Sequence, residues 1–244
     1  MNNKSALSVE SQLLQVFLRD KSKDYLSREI KAGKEIFSPE KAQQNIFFSL
    51  QGVVKLSRID CIGRETFVGL LPEKSFLGLS LLLNKSESNY CAIALTPVTL
   101  ISTTVTQFQQ KLQESPELWT QIFHKLLSRS LTAQMTIESR LLRTSEARLV
   151  SFLLILCQNF GVETDTGIKL ARSLAPFGDA GSLVKIDLKL AHHTLADWTY
   201  VNRASVTRIL GQLRQQQMIS IEQQQITLHN PSILRQYFAI PSYS

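Results

Sequence analysis

A long helix without a breaker constrains the fold of this 244-residue chain more than any other sequence feature. After Pro116 the chain has no further proline and no glycine until well past Thr144. Ser115 is a good N-cap residue, proline suits the first helical position, and Glu117 places an acid in the first turn. Apolar residues then recur at spacings of four or seven: Leu118, Ile122, Leu126, Ala133, Ile137 and Leu141.

This apolar stripe is narrow, and its flanks are polar at Arg129, Gln134 and Glu138. A narrow stripe of this kind is typical of a helix that pairs with another helix. We therefore expect a dimer seam along the long helix. The alternative is a helix that lies across its own domain.

Before the long helix, the sequence consists of short runs punctuated by glycine or proline. The runs are residues 35–37, 46–50, 53–59, 65–71, 90–94 and 98–104. Short strands at this spacing predict an antiparallel sandwich or barrel, with Gly63 at positive φ in one hairpin turn. Helical spacing within residues 1–30 predicts a leading helix or two, and residues 106–114 predict a short helix.

A second pattern follows the long helix. Residues 145–160 are apolar nearly all round and end at Gly161, which predicts a central helix of a second core. Residues 163–183 are loop-like, and residues 184–188 are strand-like. Two helices over residues 189–198 and 202–217 and a hairpin around the polar turn 222–225 then predict a winged helix-turn-helix.

The second of these two helices has a polar outer face. We expect its inner face and that of its partner to bury Leu190, Leu195, Ala196, Val206, Ile209, Leu210 and Leu213. Asn202 suits its N-cap. Between Trp198 and Ile221 there are three arginines and no acid. Because arginine pairs bidentately with guanine, Arg203 and Arg208 are candidate base readers; solvated surface charges are the alternative.

The same helix carries a family resemblance. Residues 203–210, RASVTRIL, resemble the recognition-helix pattern R-x-x-V-x-R-x-L of the Crp/Fnr regulators. The chain is further similar to the cyanobacterial nitrogen-control regulators of that family at residues 52–58, 96–98, 115–118, 149–157, 160–162, 186–190 and 218–221. The resemblance covers about residues 30–235. It implies an α+β protein with a double-stranded β-helix sensor domain of the cyclic-nucleotide-binding type (residues 1–114), a dimerisation helix (115–144) and a winged helix-turn-helix domain (145–244).

By this resemblance, the protein is a transcription regulator, with nitrogen control as the implied process. A homodimer grips a palindromic double-stranded DNA site with its recognition helices one helical turn apart, and RNA polymerase is a further partner. The implied DNA contacts are Arg203, Ala204, Ser205, Thr207, Arg208 and His192. The alternative is a small-molecule sensor whose DNA-binding domain is degenerate or whose effector is altered.

The resemblance places the effector site at Leu77, Gly78, Leu79, Tyr90, Arg129 and Gln134. Segments 76–83 and 88–94 contain no glutamate and no arginine, so the phosphate of a cyclic nucleotide lacks its charge partner. The nitrogen regulators bind 2-oxoglutarate, but their second arginine is Ser88 here and their glutamate is Gln134. A dicarboxylate needs paired cations, so we expect a weak response to 2-oxoglutarate or none.

Two departures fall in the DNA-binding region. Tyr200 stands where the family has a turn glycine, and the left-handed conformation costs tyrosine about 1 kcal/mol or more, which predicts a reshaped turn. The wing carries glutamines at positions 223–225 where the relatives have lysines, which predicts weaker phosphate contacts.

Composition excludes other classes of protein. The 27 basic and 20 acidic residues give a net charge of +7, which permits a polyanionic partner. The scattered cysteines Cys61, Cys91 and Cys157 predict a cytoplasmic protein with no disulfide framework. With no cysteine cluster and no histidine before the long helix, we also expect no metal site and no cofactor. The longest apolar run, residues 152–157, is too short to span a membrane. With no hydrolase, zinc-protease or nucleotide-binding motif, we expect no enzyme activity.

Overall fold

The computed structural model describes residues 26–38, 44–83, 90–163, 183–186, 188–238 and 240. The chain divides into two compact units, residues 1–130 and 131–244, and the division lies within the long helix. Within the described ranges, no helix is both long and apolar enough to cross a membrane. The leading helix predicted around residues 13–18 and most of the loop-like stretch after residue 163 lie outside the described residues.

In its described part, the first unit contains eight strands, a 3₁₀ helix, one complete α-helix and the first part of a second α-helix. The strands are β1 (Leu26–Ile30), β2 (Glu35–Phe37), β3 (Asn45–Gln51), β4 (Val54–Ile59), β5 (Glu65–Leu71), β6 (Phe76–Leu77), β7 (Tyr90–Ala94) and β8 (Val98–Thr104). The 3₁₀ helix spans Leu79–Leu83, helix α1 spans Val105–Glu114, and helix α2 spans Pro116–Leu141 and continues into the second unit.

These strands form two antiparallel sheets, in the orders β1-β8-β3-β6 and β2-β7-β4-β5. Alternate side chains of both sheets meet in one apolar core, which includes Ile36, Val54, Leu56, Ala92 and Leu100. Burial of this apolar surface is the main favourable term for such a sandwich. The double-stranded β-helix expected from the sequence is therefore confirmed.

Helices cover the other face of the first sheet. Phe48 and Phe76 lie with ring centroids 4.8 Å apart, and Phe108 of α1 meets Phe76 edge-on at 5.7 Å. Leu118 and Ile122 of α2 are buried in the same cluster. The predicted seam is wrong at these two positions, because both side chains pack on their own domain. The large apolar side chains that α2 leaves exposed are Trp119, Phe123, Leu126, Leu127, Leu131, Ile137 and Leu141.

The six strands predicted in the first unit are confirmed with small shifts in their ends. Gly63 has φ 77°, and its turn is closed because Asp60 Oδ1 accepts the N–H groups of Ile62 (3.0 Å) and Arg64 (2.8 Å). The helical prediction is wrong for residues 26–30, which form a strand paired along β8. Strand β6 and the 3₁₀ helix have no counterpart in the sequence predictions.

The second unit is built around helix α3 (Ser145–Phe160), whose residues 149–157 are all buried. Strands β9 (Gly161–Glu163), β10 (Leu183–Ile186), β11 (Ile219–Glu222) and β12 (Gln225–His229) form an antiparallel sheet in the order β11-β12-β10-β9. Helices α4 (His192–Thr199), α5 (Arg203–Gln215) and α6 (Pro231–Tyr237) complete this unit. The predicted order of helix, turn, helix and hairpin is confirmed, and α6 was not predicted.

The wing hairpin is tighter than expected. Glu222 pairs with Gln225, so the turn has two residues rather than four. These two, Gln223 and Gln224, have φ values of 48° and 67°, as a type I′ turn requires. The carbonyl oxygen of Gln224 accepts the N–H of Leu190 at 2.8 Å, which ties the wing to the start of the helix-turn-helix.

The turn between α4 and α5 keeps its ordinary geometry. Tyr200 has φ 54° and ψ 38°, so the predicted reshaping is wrong and tyrosine adopts the left-handed conformation. Its ring lies under the guanidinium of Arg140, with Cζ 4.9 Å from the ring centroid. Burial lowers the pKa of Arg140, and Tyr200 opposes this change. The cation–π contact offsets part of the backbone strain.

We predict that this contact is measurable as a coupling energy. Replacing Arg140 by methionine removes the cation–π contact when Tyr200 is present. The free energy of unfolding should then fall by about 0.5–1 kcal/mol in addition to what the substitution costs for other reasons. In a Tyr200→Gly background this additional loss should vanish, because no ring remains. Urea unfolding of the four proteins measures the difference. An equal cost of Arg140→Met in both backgrounds would contradict the contact.

Candidate nucleic-acid interface

Helix α5 is fixed in the second unit by its apolar face and its N-cap. Asn202 Oδ1 accepts the N–H of Ser205 at 2.8 Å, as predicted for the cap. The inner side chains predicted for α4 and α5 are all buried: Leu190, Leu195, Ala196, Val206, Ile209, Leu210 and Leu213. Because this face is held by the core, the opposite face of α5 is held toward solvent.

The predicted DNA contacts lie on that outer face. Arg203, Ala204, Thr207 and Arg208 are exposed, and Ser205 is half-buried. At 100° per residue, the exposed four form a continuous strip that starts at the helix N-terminus. The first turn of α5 contains no acid. Its N-terminal N–H groups and arginines therefore present positive charge and hydrogen-bond donors to a polyanion.

His192, the one predicted contact outside α5, is brought to this strip by α4. Its Nδ1 lies 2.9 Å from Thr207 Oγ1, and the Thr207 hydroxyl donates to the Arg203 carbonyl oxygen at 3.1 Å. With that hydroxyl hydrogen in use, Nδ1 acts as the donor to Thr207. The pair joins the two helices on the solvent side, a contact that sequence spacing did not predict.

Arg208 has protein partners that the sequence reasoning missed. Its Nη1 and Nη2 both donate to Glu146 Oε1 at 3.4 Å, and Nη1 also donates to Gln212 Oε1 at 2.9 Å. Glu146 lies in the first turn of α3. An acid at that position is also what a helix N-terminus favours, so the sequence contained no specific signal for this pairing.

The wing adds polar groups rather than positive charge near its tip. His229 Nδ1 donates to the carbonyl oxygen of Gln217 at 2.8 Å, and its Nε2 lies 3.1 Å from Ser220 Oγ. His229 therefore holds the base of the hairpin together. The tip consists of Gln223 and Gln224, which have no charge to offer a phosphate.

The first unit contains five of the six predicted effector residues. Leu77 is buried, Gly78 has φ 83°, and Leu79 begins the 3₁₀ helix. Arg129 is exposed overall, yet the protein atoms packed around its guanidinium lower its pKa, and the Tyr90 phenol opposes this change. The guanidinium of Arg129 and the phenol of Tyr90 are therefore within range of an electrostatic interaction.

One predicted effector residue remains, together with Ser88, the position where the resemblance puts the second arginine of the nitrogen regulators. Gln134 belongs to the second unit, where its side-chain amide donates to Glu138 Oε1 at 3.0 Å. Ser88 lies outside the described residues.

Known protein families match both units. The model of the cyclic nucleotide-binding domain matches residues 27–115, and that of the Crp-like helix-turn-helix domain matches residues 147–237. The global nitrogen regulator of Nostoc sp. (strain PCC 7120) is 42% identical over 207 residues, which cover 84% of this chain and 86% of the relative. That of Synechococcus elongatus is 39% identical over 209 residues, covering 85% and 87%.

Solved structures share the fold. FixK2 from Bradyrhizobium japonicum matches with a TM-score of 0.67 at 14% identity, covering 90% of this chain and 98% of that one. A CRP/FNR-family transcriptional regulator from Thermus thermophilus matches with a TM-score of 0.63 at 22% identity, covering 89% and 100%. The relatives and domains identify a regulator rather than an enzyme. This chain belongs to the Crp/Fnr family of DNA-binding transcription regulators, and its relatives within that family include global nitrogen regulators of cyanobacteria.

Proposed function

We propose that this regulator binds a palindromic DNA site as a homodimer and acts in nitrogen control, with Arg203 and Arg208 reading base edges in the major groove. The observation that carries the proposal is the outer face of α5. It exposes both arginines and Thr207 on the first two turns, directly opposite the face buried in the core. A helix presented in this way fits the major groove, where arginine pairs with guanine O6 and N7.

The homodimer is supported by the exposed side chains of α2. Phe123 and Ile137 are 63% and 58% exposed, and Trp119, Leu126 and Leu141 lie along the same side of the helix. The consecutive spacings of these five residues are four, three, eleven and four, each close to a whole number of helical turns, so all five lie on one face that another helix can pack against. An exposed apolar stripe of this length is unusual for a protein that acts alone. A second copy of the same helix covers it with two-fold symmetry, which matches a palindromic site.

The nitrogen-control role is supported by the 39% and 42% identity to the global nitrogen regulators. Those regulators and this chain differ at the sensor. Arg129 interacts electrostatically with Tyr90, but segments 76–83 and 88–94 supply no second arginine. A dicarboxylate loses water from two charges on binding, and one arginine compensates only one of them. We therefore propose that 2-oxoglutarate is at most a weak effector of this protein.

Replacing Arg203 by alanine should weaken binding to the preferred DNA site by about 1–3 kcal/mol and relax the preference at one base pair. The site is first selected from a random duplex pool, and affinities for it and for a scrambled duplex are measured by fluorescence anisotropy. Arg214→Ala is the matched control, since Arg214 carries the same charge in the last turn of α5. An Arg203→Ala protein with the wild-type ratio of the two affinities would rule out base reading by Arg203.

Replacing Phe123 by glutamate should convert the dimer to a monomer, because a charge in the middle of an apolar seam has no partner. Analytical ultracentrifugation gives the mass, and binding to the palindrome should fall by about tenfold or more as the second half-site is lost. His124→Glu is the control, since His124 is exposed on the same helix but outside the stripe. A wild-type protein that sediments as a monomer would refute the seam.

Adding 2-oxoglutarate should change the affinity for the selected DNA by less than about twofold, because Arg129 is the one cation among the predicted effector residues and cannot pair with both charges of the dianion. The ligand is titrated at fixed salt and pH while the anisotropy of labelled DNA is followed. A tenfold tightening would show that residues other than those identified complete the site.

A further inference from the structure

Arg208 is held in one orientation by two side chains of its own unit. Glu146 Oε1 lies 3.4 Å from both Nη1 and Nη2, and Gln212 Oε1 lies 2.9 Å from Nη1. The ion pair is not buried, since the side chains of Arg208 and Glu146 are 55% and 40% exposed. It therefore lies on the outer surface of the unit, at the edge of the strip formed by α5.

The carboxylate of Glu146 stands on a rigid support. Glu146 is in the first turn of α3, where Thr144 Oγ1 accepts the N–H of Ala147 at 3.0 Å and fixes the start of the helix. Three residues later α3 enters the core, and Leu149 is fully buried. The position of the carboxylate relative to α5 is thus set by the packing of the two helices rather than by a mobile loop.

The bonds made by Arg208 leave one edge of its guanidinium available. A guanidinium has five N–H donors, and the bonds to Glu146 and Gln212 use both hydrogens of Nη1 and one of Nη2. The remaining two, on Nε and Nη2, are parallel and lie on the same edge. Two parallel N–H donors are the arrangement that pairs bidentately with O6 and N7 of guanine.

The charge of Glu146 has a second effect. An arginine without a carboxylate neighbour binds any phosphate oxygen, which raises affinity for all sequences alike. A carboxylate beside it repels phosphates and neutralises part of the positive charge. Base edges carry no net charge, so this repulsion acts against non-specific contacts more than against a guanine in register.

We infer that Glu146 is a positioning residue for sequence discrimination: it holds Arg208 with its Nε–Nη2 edge free for a base and keeps it from phosphates. This inference rests on the proposed role of Arg208 as a base reader. In this arrangement non-specific affinity is reduced, and the preference for one base pair is increased.

The test uses the full-length protein and the duplex that the wild type selects from a random pool. In Glu146→Gln, binding to a scrambled duplex should tighten by about threefold. The slope of the logarithm of the binding constant against the logarithm of the salt concentration should become steeper by up to about one, because one more phosphate contact releases a counterion. The ratio of selected to scrambled affinity should fall by about fivefold or more. Glu117→Gln is the matched control, because Glu117 is also an exposed acid in the first turn of a helix but belongs to the first unit. It should keep the wild-type ratio.

A repeated selection distinguishes positioning from a general structural role. Glu146→Gln and Arg208→Ala should lose preference at the same base pair, and the double variant should lose no more discrimination than Arg208→Ala alone. Thermal melting verifies that each variant is folded. An unchanged ratio, an equal weakening on both duplexes or additive losses would overturn the role of Glu146. If the wild type selects no sequence, the proposed function itself fails, and that result is distinct from the others.

Discussion

The packing of α3 against the helix-turn-helix is the interaction on which the rest of the DNA-binding unit depends. Phe152 of α3 meets Trp198 of α4 edge-on, with centroids 6.1 Å apart, and Val206 of α5 is fully buried. A core closed in this way leaves α5 only one face for solvent. The arginines on that face are therefore displayed because apolar residues elsewhere leave no alternative, and the carboxylate of Glu146 is carried to Arg208 by the same helix that forms the core.

In helix α2, buried apolar residues likewise decide which face is exposed, but here the exposed face is itself partly apolar. Its first turns bury Leu118 and Ile122 against the sheet of the first unit, so these two side chains belong to the core of their own unit. Phe123 and Ile137, on another side of the helix, are exposed. The helix thus has two apolar faces, one buried in its own unit and one exposed, which explains why its apolar residues follow a single spacing in the sequence yet differ in burial in the structure.

Most of the fold was predictable because its signals are local. Alternation and turn residues located six strands, and Asn202 was recognised as a cap from its type and position alone. The errors arose where a distant residue decides the outcome. Strand β1 exists because β8 pairs with it, and Tyr200 keeps a strained conformation beside Arg140, sixty positions earlier in the chain. Glu146 was missed for the same reason, since its partner Arg208 lies 62 positions later in the chain.

The distribution of charge affects the balance between non-specific and sequence-specific DNA binding. The overall charge of +7 favours any polyanion, but the features of the DNA-binding unit limit that attraction. The wing tip offers glutamines instead of cations, and the guanidinium of Arg208 is shared with a carboxylate. Phosphate contacts supply most non-specific affinity, so a surface that gives up several of them depends more strongly on the fit of α5 to particular bases. In the proposed mode of binding, discrimination between sequences therefore depends on the geometry of α5, which the core fixes, more than on charge.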